Sequence, residues 1–380
     1  MLTFFNIISS ERTEKLTALD EVMAPLLSKH SDEISMNPDL FARVKVVYKN
    51  ERSRLQGEDL MLLEETYKNF VRGGANLNEE AQAELMSINE ELSVIGLQFS
   101  NNVLNDNNAF RLIIDNEADL SGLPAAVVAA AAELAAKEGN EGKWAFSLQR
   151  SVFTPFLTFA DNRDLREKMW QAMANQGNNG NEFDNNQITA RIASLELRKA
   201  QLFGHTTSAE YVLENNMAKN PQTVRRFLED LWRPTQVVLR REVAELQKII
   251  DAENGGFKLE PWDWRYYAEK VKQQKYDFDE TAFREYLPLE SVIQGCFDLT
   301  TRLWGLQWEE RLDIPKFNPE NRTWLVKDAD GSELGIFIAD YHPRPSKRAG
   351  AWMWYFRKQS GYPNNNVLPI VTNISNYTAP

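Results

Sequence analysis

The stretch AQAELMSINEELSVIGLQF, residues 81–99, has an apolar residue at nearly every third or fourth position. Because an α-helix makes one turn in about 3.6 residues, this spacing places the apolar side chains on one helical face. The residues on that face are Ala81, Leu85, Ile88, Leu92, Ile95 and Phe99. The sequence therefore predicts a long helix that packs against a neighbour.

A second long helix is predicted to begin at Asn220 and Pro221, because Asn is a good N-cap and Pro suits the first turn. Pro234 is expected to kink this helix or to divide it in two. The pair Gly255 and Gly256 is expected to end it. The predicted inner stripe consists of Val224, Phe227, Leu228, Leu231, Leu239, Val243, Leu246 and Ile250.

Helical periodicity extends over most of the chain before Trp304, and alternation replaces it afterwards. In the part after Trp304, the Asp330-Gly331 pair predicts the turn of a β-hairpin. Pro369 in the same part indicates an edge strand or a bulge. Shorter helices are predicted over residues 11–28, 37–51, 58–71, 124–137, 163–176, 188–203, 262–274 and 280–302. Strands are predicted around Leu306 and Trp308 and over residues 323–327, 333–339, 351–356 and 367–371.

The expected fold class is thus mainly α, a large multi-helix body with a small β-sheet near the C-terminus. Two polar segments, residues 138–143 and 177–186, are candidate boundaries. The second segment, GNNGNEFDNN, is interpreted as a turn between helices, because the closing Glu of an EF-hand calcium loop is missing. The predicted regions are residues 1–142, 143–304 and 305–380.

Composition excludes several classes of protein. The 380 residues carry 43 Lys and Arg against 55 Asp and Glu, a formal net charge of −12. Such a chain is a poor non-specific partner for nucleic acid or anionic lipid, so neither partner is expected. The longest apolar run, residues 123–132, is much shorter than the roughly 20 residues of a membrane span. No signal peptide is recognised at the N-terminus.

The single cysteine, Cys296, excludes an intramolecular disulfide and fits a reducing compartment, so a cytoplasmic location is expected. We interpret it as a buried core thiol rather than a reactive nucleophile, because Ile293 and Phe297 beside it look like core positions. The histidines, His30, His205 and His342, are scattered, and no His-Glu-x-x-His motif is present. Phosphate-binding, dinucleotide-binding and Gly-x-Ser-x-Gly motifs are also missing from the sequence.

Three segments carry a resemblance to a known family. They are LRKAQLFGHTTSAEYVLENNMAKNP at 197–221, the aromatic segment 261–287, and GIFIADYHPRPSKRAGAWM at 335–353 followed by VLPIVTNISNY. In this order they resemble the thimet oligopeptidase, neurolysin-like family of zinc metallopeptidases, nearest to its bacterial peptidyl-dipeptidases and then its oligopeptidases A. The shorter segments PDLFARV, at 38–44, and NRDLREK, at 162–168, are also similar to that family.

The resemblance implies a zinc-dependent peptidase that cleaves short peptides in a channel between two mostly helical lobes and releases C-terminal dipeptides. It also implies that the chain is an internal piece, because the family's His-Glu-x-x-His helix would follow the segment VTNISNYTAP. Zinc is therefore expected in the intact parent enzyme, whereas no metal ligand or catalytic residue is assigned to this chain. The chain alone is expected to be inactive.

The resemblance further implies that Gly350, Ala351 and Trp352 form a strand that pairs with the substrate backbone. The physical basis is sound, because an edge strand offers main-chain hydrogen bonds and Gly allows close approach. The alternative is that this strand only packs in the sheet. Large apolar residues at 352–355 suggest burial on both of its faces.

Other positions receive plainer interpretations. The aromatic residues Trp262, Trp264, Tyr266 and Tyr267 are interpreted as helix-anchoring core rather than as channel wall. His205 is interpreted as a cap or surface residue at a helix C-terminus, and His342 is the histidine placed near the expected channel.

Two rival functions stay open at this point. The chain could be a non-catalytic helical module that binds peptides or a partner, from a truncated gene, or a bare folding unit. The resemblance also implies that the C-terminal sheet is incompletely covered, because the zinc-site helices that would pack against it are missing from this sequence, and an exposed strand edge is a template for pairing. The expected outcome is a homodimer, a swapped terminus or a disordered tail.

Overall fold

A computed structural model describes residues 2–276, 283, 285–361 and 366–377. The structure is mainly helical, 59% in total, with a small β-sheet near the C-terminus, as predicted. The helices are α1 Leu2–Ser10, α2 Glu14–Ser35, α3 Pro38–Glu51, α4 Gly57–Arg72, α5 Glu79–Ala109, α6 Ala125–Lys137, α7 Arg150–Phe159, α8 Arg163–Ala174, α9 Asn186–Leu202, α10 Ser208–Leu213, α11 Pro221–Ala252, α12 Trp264–Tyr276 and α13 Leu289–Trp304. The strands are β1 Leu112–Ile114, β2 Trp144–Phe146, β3 Gln307–Glu310, β4 Arg322–Lys327, β5 Glu333–Asp340, β6 Trp352–Arg357 and β7 Ile370–Ile374.

Three helices were not predicted: α1, α7 and α10. Helix α7 contains Pro155, and α10 has only 6 residues, so neither has a long periodic pattern. Helix α10 is stabilised locally, because Thr207 and Glu210 form a capping box. The helix predicted over residues 280–302 begins at Leu289 in the structure, and residues 280–282 and 284 of that prediction lie outside the described residues.

The predicted inner stripe of α11 is wrong over most of its length. Leu246 and Ile250 are buried, but Phe227, Leu228 and Leu231 are more than half exposed. Periodicity identifies an apolar face, whereas burial also needs a partner, and here the partner is Tyr267 with the residues around it at the C-terminal end. Pro234 does not divide the helix, which is one element.

The five strands predicted after Trp304 correspond to the five strands of one sheet, in the order β3-β4-β5-β7-β6. Neighbouring pairs are antiparallel except β5 and β7, which are parallel. Of the two alternatives predicted from Pro369, the edge strand is wrong, because β7 starts at Ile370 and lies between β5 and β6. The bulge alternative agrees with a register shift in the β6–β7 pair, which falls between Tyr355 and Arg357, the latter opposite Ile370. Pro369 precedes the ladder, where its missing N–H costs no sheet hydrogen bond. The two edge positions belong to β3 and β6.

The described chain forms two compact units. The first comprises residues 1–17, 107–175 and 242–380, and the second comprises residues 18–106 and 176–241. The three sequential regions proposed from the sequence stay a prediction.

In the first unit, one apolar core lies between the β1-β2 pair and α6, α7 and α8, around Phe146, Phe156 and Met169. A smaller core joins α13 to the sheet through Ile293, Trp324 and Ala339. The second unit buries Leu85 and Ile88 of α5, which confirms that part of the predicted face. Its 177–186 turn winds around the Asp106 carboxylate, which accepts hydrogen bonds from Gly177, Asn179 and Asn181.

Cys296 is exposed, so the prediction of a buried thiol is wrong. On α13 the residues that face the sheet are four apart, Leu289, Ile293 and Phe297. Cys296 is three residues from Ile293 and so lies at the margin of that stripe. Among the described helices, none combines the length and apolar character that crossing a membrane requires.

Candidate functional site

The predicted peptide-binding strand is an edge strand. Strand β6 pairs with β7 through Trp352 opposite Ile374, and among the described strands β7 is its only neighbour in the sheet. Gly350 and Ala351 immediately precede it. Gly350 has a φ of 107°, a backbone region that side chains disfavour, and a Cβ added there would meet no atom of the described residues within 4 Å. The backbone at Gly350 thus has room for an approaching chain, whereas farther along β6 the Phe356 carbonyl accepts a hydrogen bond from the Thr3 hydroxyl of α1 at 3.3 Å.

The expectation that residues 352–355 are buried on both faces is wrong. Met353 is 62% exposed and Trp354 is 41% exposed. An edge strand has one neighbour only, so its side chains receive less cover than those of an inner strand. Helix α1 supports the sheet nearby, since Asn6 donates to the Thr372 hydroxyl on β7 at 3.2 Å.

A buried charged group follows β5. Asp340, the last residue of that strand, is fully buried, and its carboxylate accepts two hydrogen bonds from the Arg344 guanidinium, both at 2.8 Å. Arg344 also donates through Nε to Glu11 at 2.6 Å. Such a bidentate pair fixes the orientation of the Arg344 guanidinium and its distance from the Asp340 carboxylate. It therefore holds the start of the loop that leads to β6.

Lys347 completes this group, and its side chain is 0% exposed. Its ammonium donates to the Asp340 carboxylate and main-chain carbonyl, both at 3.0 Å. It also donates to the carbonyls of His342 at 2.9 Å and Ser375 at 2.6 Å. Burial lowers the pKa of Lys347, and Asp340 opposes that change by favouring the charged form. We call Asp340, Arg344, Lys347 and Glu11 the ion cluster.

The residue after Ser375 reaches the candidate strand directly. The side-chain amide of Asn376 donates to the main-chain carbonyl of Gly350 at 2.6 Å and to that of Arg348 at 3.1 Å. The main-chain N–H of Arg348 in turn donates to the Ser9 carbonyl near the end of α1. The loop before β6 is therefore held from two sides.

Of the three residues predicted to form the strand, Trp352 begins β6, whereas Gly350 and Ala351 precede it. Sequence reasoning missed the residues that hold them. The available signal was the charged residues Asp340, Arg344 and Lys347 close behind an apolar strand. Their burial depends on Ser375 and Glu11, which are distant in sequence, so spacing alone does not reveal it.

The remaining candidates have structural surroundings. Tyr267 is buried in the core with α11, and Trp262 packs on Trp170, which confirms the interpretation of the aromatic cluster as core. His205 is half-buried and packs edge-on against Tyr211 rather than standing free at the surface. His342 has its Nδ1 atom 3.4 Å from the Tyr377 carbonyl oxygen.

Comparison with known proteins assigns the family. The model of Peptidase family M3 matches residues 156–380, more than half of the chain. The chain belongs to peptidase family M3. The resemblance carried by its sequence segments is thereby confirmed.

Individual family M3 proteins are similar over nearly the whole chain. Dipeptidyl carboxypeptidase of Salmonella typhimurium is 34% identical over 99% of this chain, and that of Escherichia coli is 32% identical over 99%. Oligopeptidase A of Salmonella typhimurium is 32% identical over 91%. The matches cover 55%, 55% and 51% of these proteins, so the chain spans about half the length of the curated relatives it matches.

Family M3 metallopeptidases are zinc-dependent, and a catalytic zinc takes about three protein ligands. In the part of the chain that the structure describes, no three side chains of His, Cys, Asp or Glu come together as a metal site. The fully buried carboxylate of Asp340 already accepts hydrogen bonds from Arg344 and Lys347. The described residues therefore do not fit a catalytic zinc, and no step of the reaction is assigned to a metal on them.

Proposed function

We propose that this chain is the helical scaffold and peptide-binding wall of a zinc peptidase that acts on short peptides and releases C-terminal dipeptides. The observation that carries the proposal is the edge position of β6 in the sheet, with Gly350 and Ala351 directly before it. The relatives named dipeptidyl carboxypeptidase support the reaction type, because the similarity covers 99% of this chain.

The role of the strand follows from backbone chemistry. An extended peptide that lies along β6 gains main-chain hydrogen bonds, as an added strand does in a sheet. Gly350 allows that peptide to come close, and the exposed side chain of Trp354 provides apolar contact area. Binding of this kind depends on the main chain of the peptide rather than on one of its side chains, which suits an enzyme that acts on varied short peptides.

The test uses two peptides and the chain itself. Acetyl-Ala-Ala-Phe-Leu is compared with the same peptide carrying N-methyl groups on alternate amides, which blocks strand pairing and leaves the side chains unchanged. Isothermal titration should show binding of the first peptide and binding at least about tenfold weaker for the second, since each main-chain hydrogen bond contributes roughly 1 kcal/mol. Equal affinities would contradict pairing along β6.

We also propose that the chain alone hydrolyses no peptide. The motivation is the donor set, which lacks a His-Glu-x-x-His motif and, among the described residues, a metal cluster. Metal analysis after dialysis and chromatography of the incubated peptide test this directly. One retained zinc ion per chain together with turnover would overturn it.

The rival proposal is a non-catalytic module that binds a partner through a different surface. A groove of about 660 Å³ in the second unit favours it, because α10 and α11 line it mostly with apolar side chains, Leu213, Val224, Leu228 and Trp232 among them. This rival predicts that the two peptides bind equally or not at all, and that Leu228→Glu blocks capture of the partner.

A further inference from the structure

We propose that Lys347 is a positioning residue, which holds the backbone at Gly350 in its binding conformation through Ser375 and Asn376. The inference rests on the proposed function of β6, whose peptide-binding role gives that conformation its purpose. Lys347 itself touches no substrate in this proposal. It acts on the strand through two neighbouring residues.

The Lys347 ammonium group is surrounded by oxygen acceptors. It has three N–H bonds, and four oxygen atoms lie within 3.0 Å of its nitrogen. Three of these are main-chain carbonyls from separate places, namely the end of β5, the following loop at His342, and Ser375 beyond β7. A fully buried cation with such acceptors ties these three backbone segments together. It does so beside a main-chain hydrogen bond, which the Ser375 N–H donates to the Asp340 carbonyl at 2.8 Å.

A further link leads from Ser375 to the strand. Asn376 is the next residue, so holding the Ser375 carbonyl in place also holds the main chain from which the Asn376 side chain extends. Its amide donates to Gly350 at 2.6 Å and to Arg348 at 3.1 Å. Gly350 has a left-handed φ of 107° and little packing around its Cα, so these hydrogen bonds are a main restraint on its conformation.

Lys347 also balances the charge of the ion cluster. The ion cluster contains two cations, Arg344 and Lys347, and two anions, Asp340 and Glu11, so its formal charge is zero. Replacing Lys347 alone leaves one negative charge in excess. Replacing Lys347 and Asp340 together restores neutrality but leaves the Ser375 carbonyl without its donor. The two effects of Lys347, charge balance and hydrogen bonding to the backbone, can thus be separated.

The first experiment measures hydrogen–deuterium exchange by mass spectrometry on the full chain. Lys347→Met and Asn376→Ala are compared with the control Arg166→Met, which breaks an equally buried ion pair with Asp263 in the same unit. Both test variants should exchange at least about tenfold faster over residues 348–354, whereas the control should not. Asn376→Ala leaves the ion cluster intact, so it keeps the test valid if Lys347→Met folds poorly.

Two results would overturn the proposal. One is unchanged exchange over residues 348–354 in Asn376→Ala. The other is an acceleration in Lys347→Met that is equal across α12 and the β6 region, which would show general destabilisation. Neither result depends on peptide binding, so a failure here is distinguishable from a failure of the proposed function.

The second experiment measures the affinity for acetyl-Ala-Ala-Phe-Leu in the charge-balanced double variant Asp340→Asn, Lys347→Met. A positioning role predicts a dissociation constant at least about fivefold higher than that of the unchanged chain. Recovery of full affinity in the double variant would show that Lys347 serves charge balance only. If the unchanged chain does not bind the peptide, the proposed function fails, and the exchange experiment alone decides the positioning role.

Discussion

At the residue scale, the first unit relies on a few buried polar groups with several partners each. Asp263 is fully buried and accepts hydrogen bonds from both Arg163 and Arg166. Near it, Asp161 accepts from Ser121 at 2.6 Å and from the Tyr266 hydroxyl at 2.8 Å. The hydrogen bond from Ser121 is the main cause that lowers the pKa of Asp161, against the effect of its burial.

The Tyr266 hydroxyl should make stability depend on pH in the alkaline range. Burial, and then the hydrogen bond to Asp161, raise the pKa of Tyr266 well above its ordinary value of 10.0. The folded state thus keeps this proton where the unfolded chain loses it. The resulting stabilisation is fully present below about pH 10 and is lost as pH rises further, by at most about 1.4 kcal/mol per pH unit.

The variant Tyr266→Phe should therefore be less stable than the unchanged chain by about 1 kcal/mol at pH 7. That difference should shrink between pH 9.5 and pH 11. Urea unfolding at several pH values measures it, and Tyr286→Phe is the control because Tyr286 is well exposed. A difference that is constant across this pH range would contradict the assignment.

At the element scale, α11 shows that an apolar face and a buried face are different things. Its C-terminal end packs with α12 and the segment around Phe257. Its N-terminal half presents apolar side chains to an open groove of the second unit. Both halves have the same helical periodicity in the sequence, so only the presence of a packing partner distinguishes them.

Two truncations on α11 should consequently have very different costs. Ile250→Ala removes fully buried side-chain atoms and should lower the free energy of unfolding by roughly 2–5 kcal/mol. Leu228→Ala, at a position that is 57% exposed, should change it by less than about 0.5 kcal/mol. Chemical denaturation of both variants measures the difference. Similar losses would mean that the N-terminal half of α11 is covered in solution.

At the scale of the whole molecule, the edge of β6 has consequences for self-association. We expect the chain to form homodimers by pairing this edge with a second copy, since an unpaired strand is a template for another strand. The exposed side chains of Met353 and Trp354 would gain burial in such a pair, at about 25 cal/mol for each Å² of apolar surface. The peptide and the second copy would then compete for the same edge.

The variant Met353→Lys should weaken this dimer, because a charged side chain on an edge strand disfavours pairing. Sedimentation velocity over a hundredfold concentration range should show association in the unchanged chain and less in the variant. Leu312→Lys is the matched control, because Leu312 is strongly exposed but lies outside the sheet strands. Monomer at every concentration in the unchanged chain would contradict the expectation.

Much of the fold could be predicted from local patterns. The amphipathic stretch at residues 81–99 became α5, and the alternation after Trp304 became the sheet. The short helices α7 and α10 were missed, because a helix of few residues leaves no long periodic signal. Helix α7 carries Pro155 in its interior, and α10 is stabilised by its capping box. The candidate strand at Gly350 was found through resemblance, and the burial of its side chains was misjudged.

By itself, the sequence determined the classes of its elements, the absence of a His-Glu-x-x-His motif, and the segments that identify family M3. These are properties of residues close together in the chain. Tertiary structure alone decided that β7 lies inside the sheet and β6 at its edge, and that Lys347 is buried against Ser375. The reason is physical: strand order, burial and ion pairing depend on contacts between distant residues, such as Glu11 with Arg344, which no local pattern specifies.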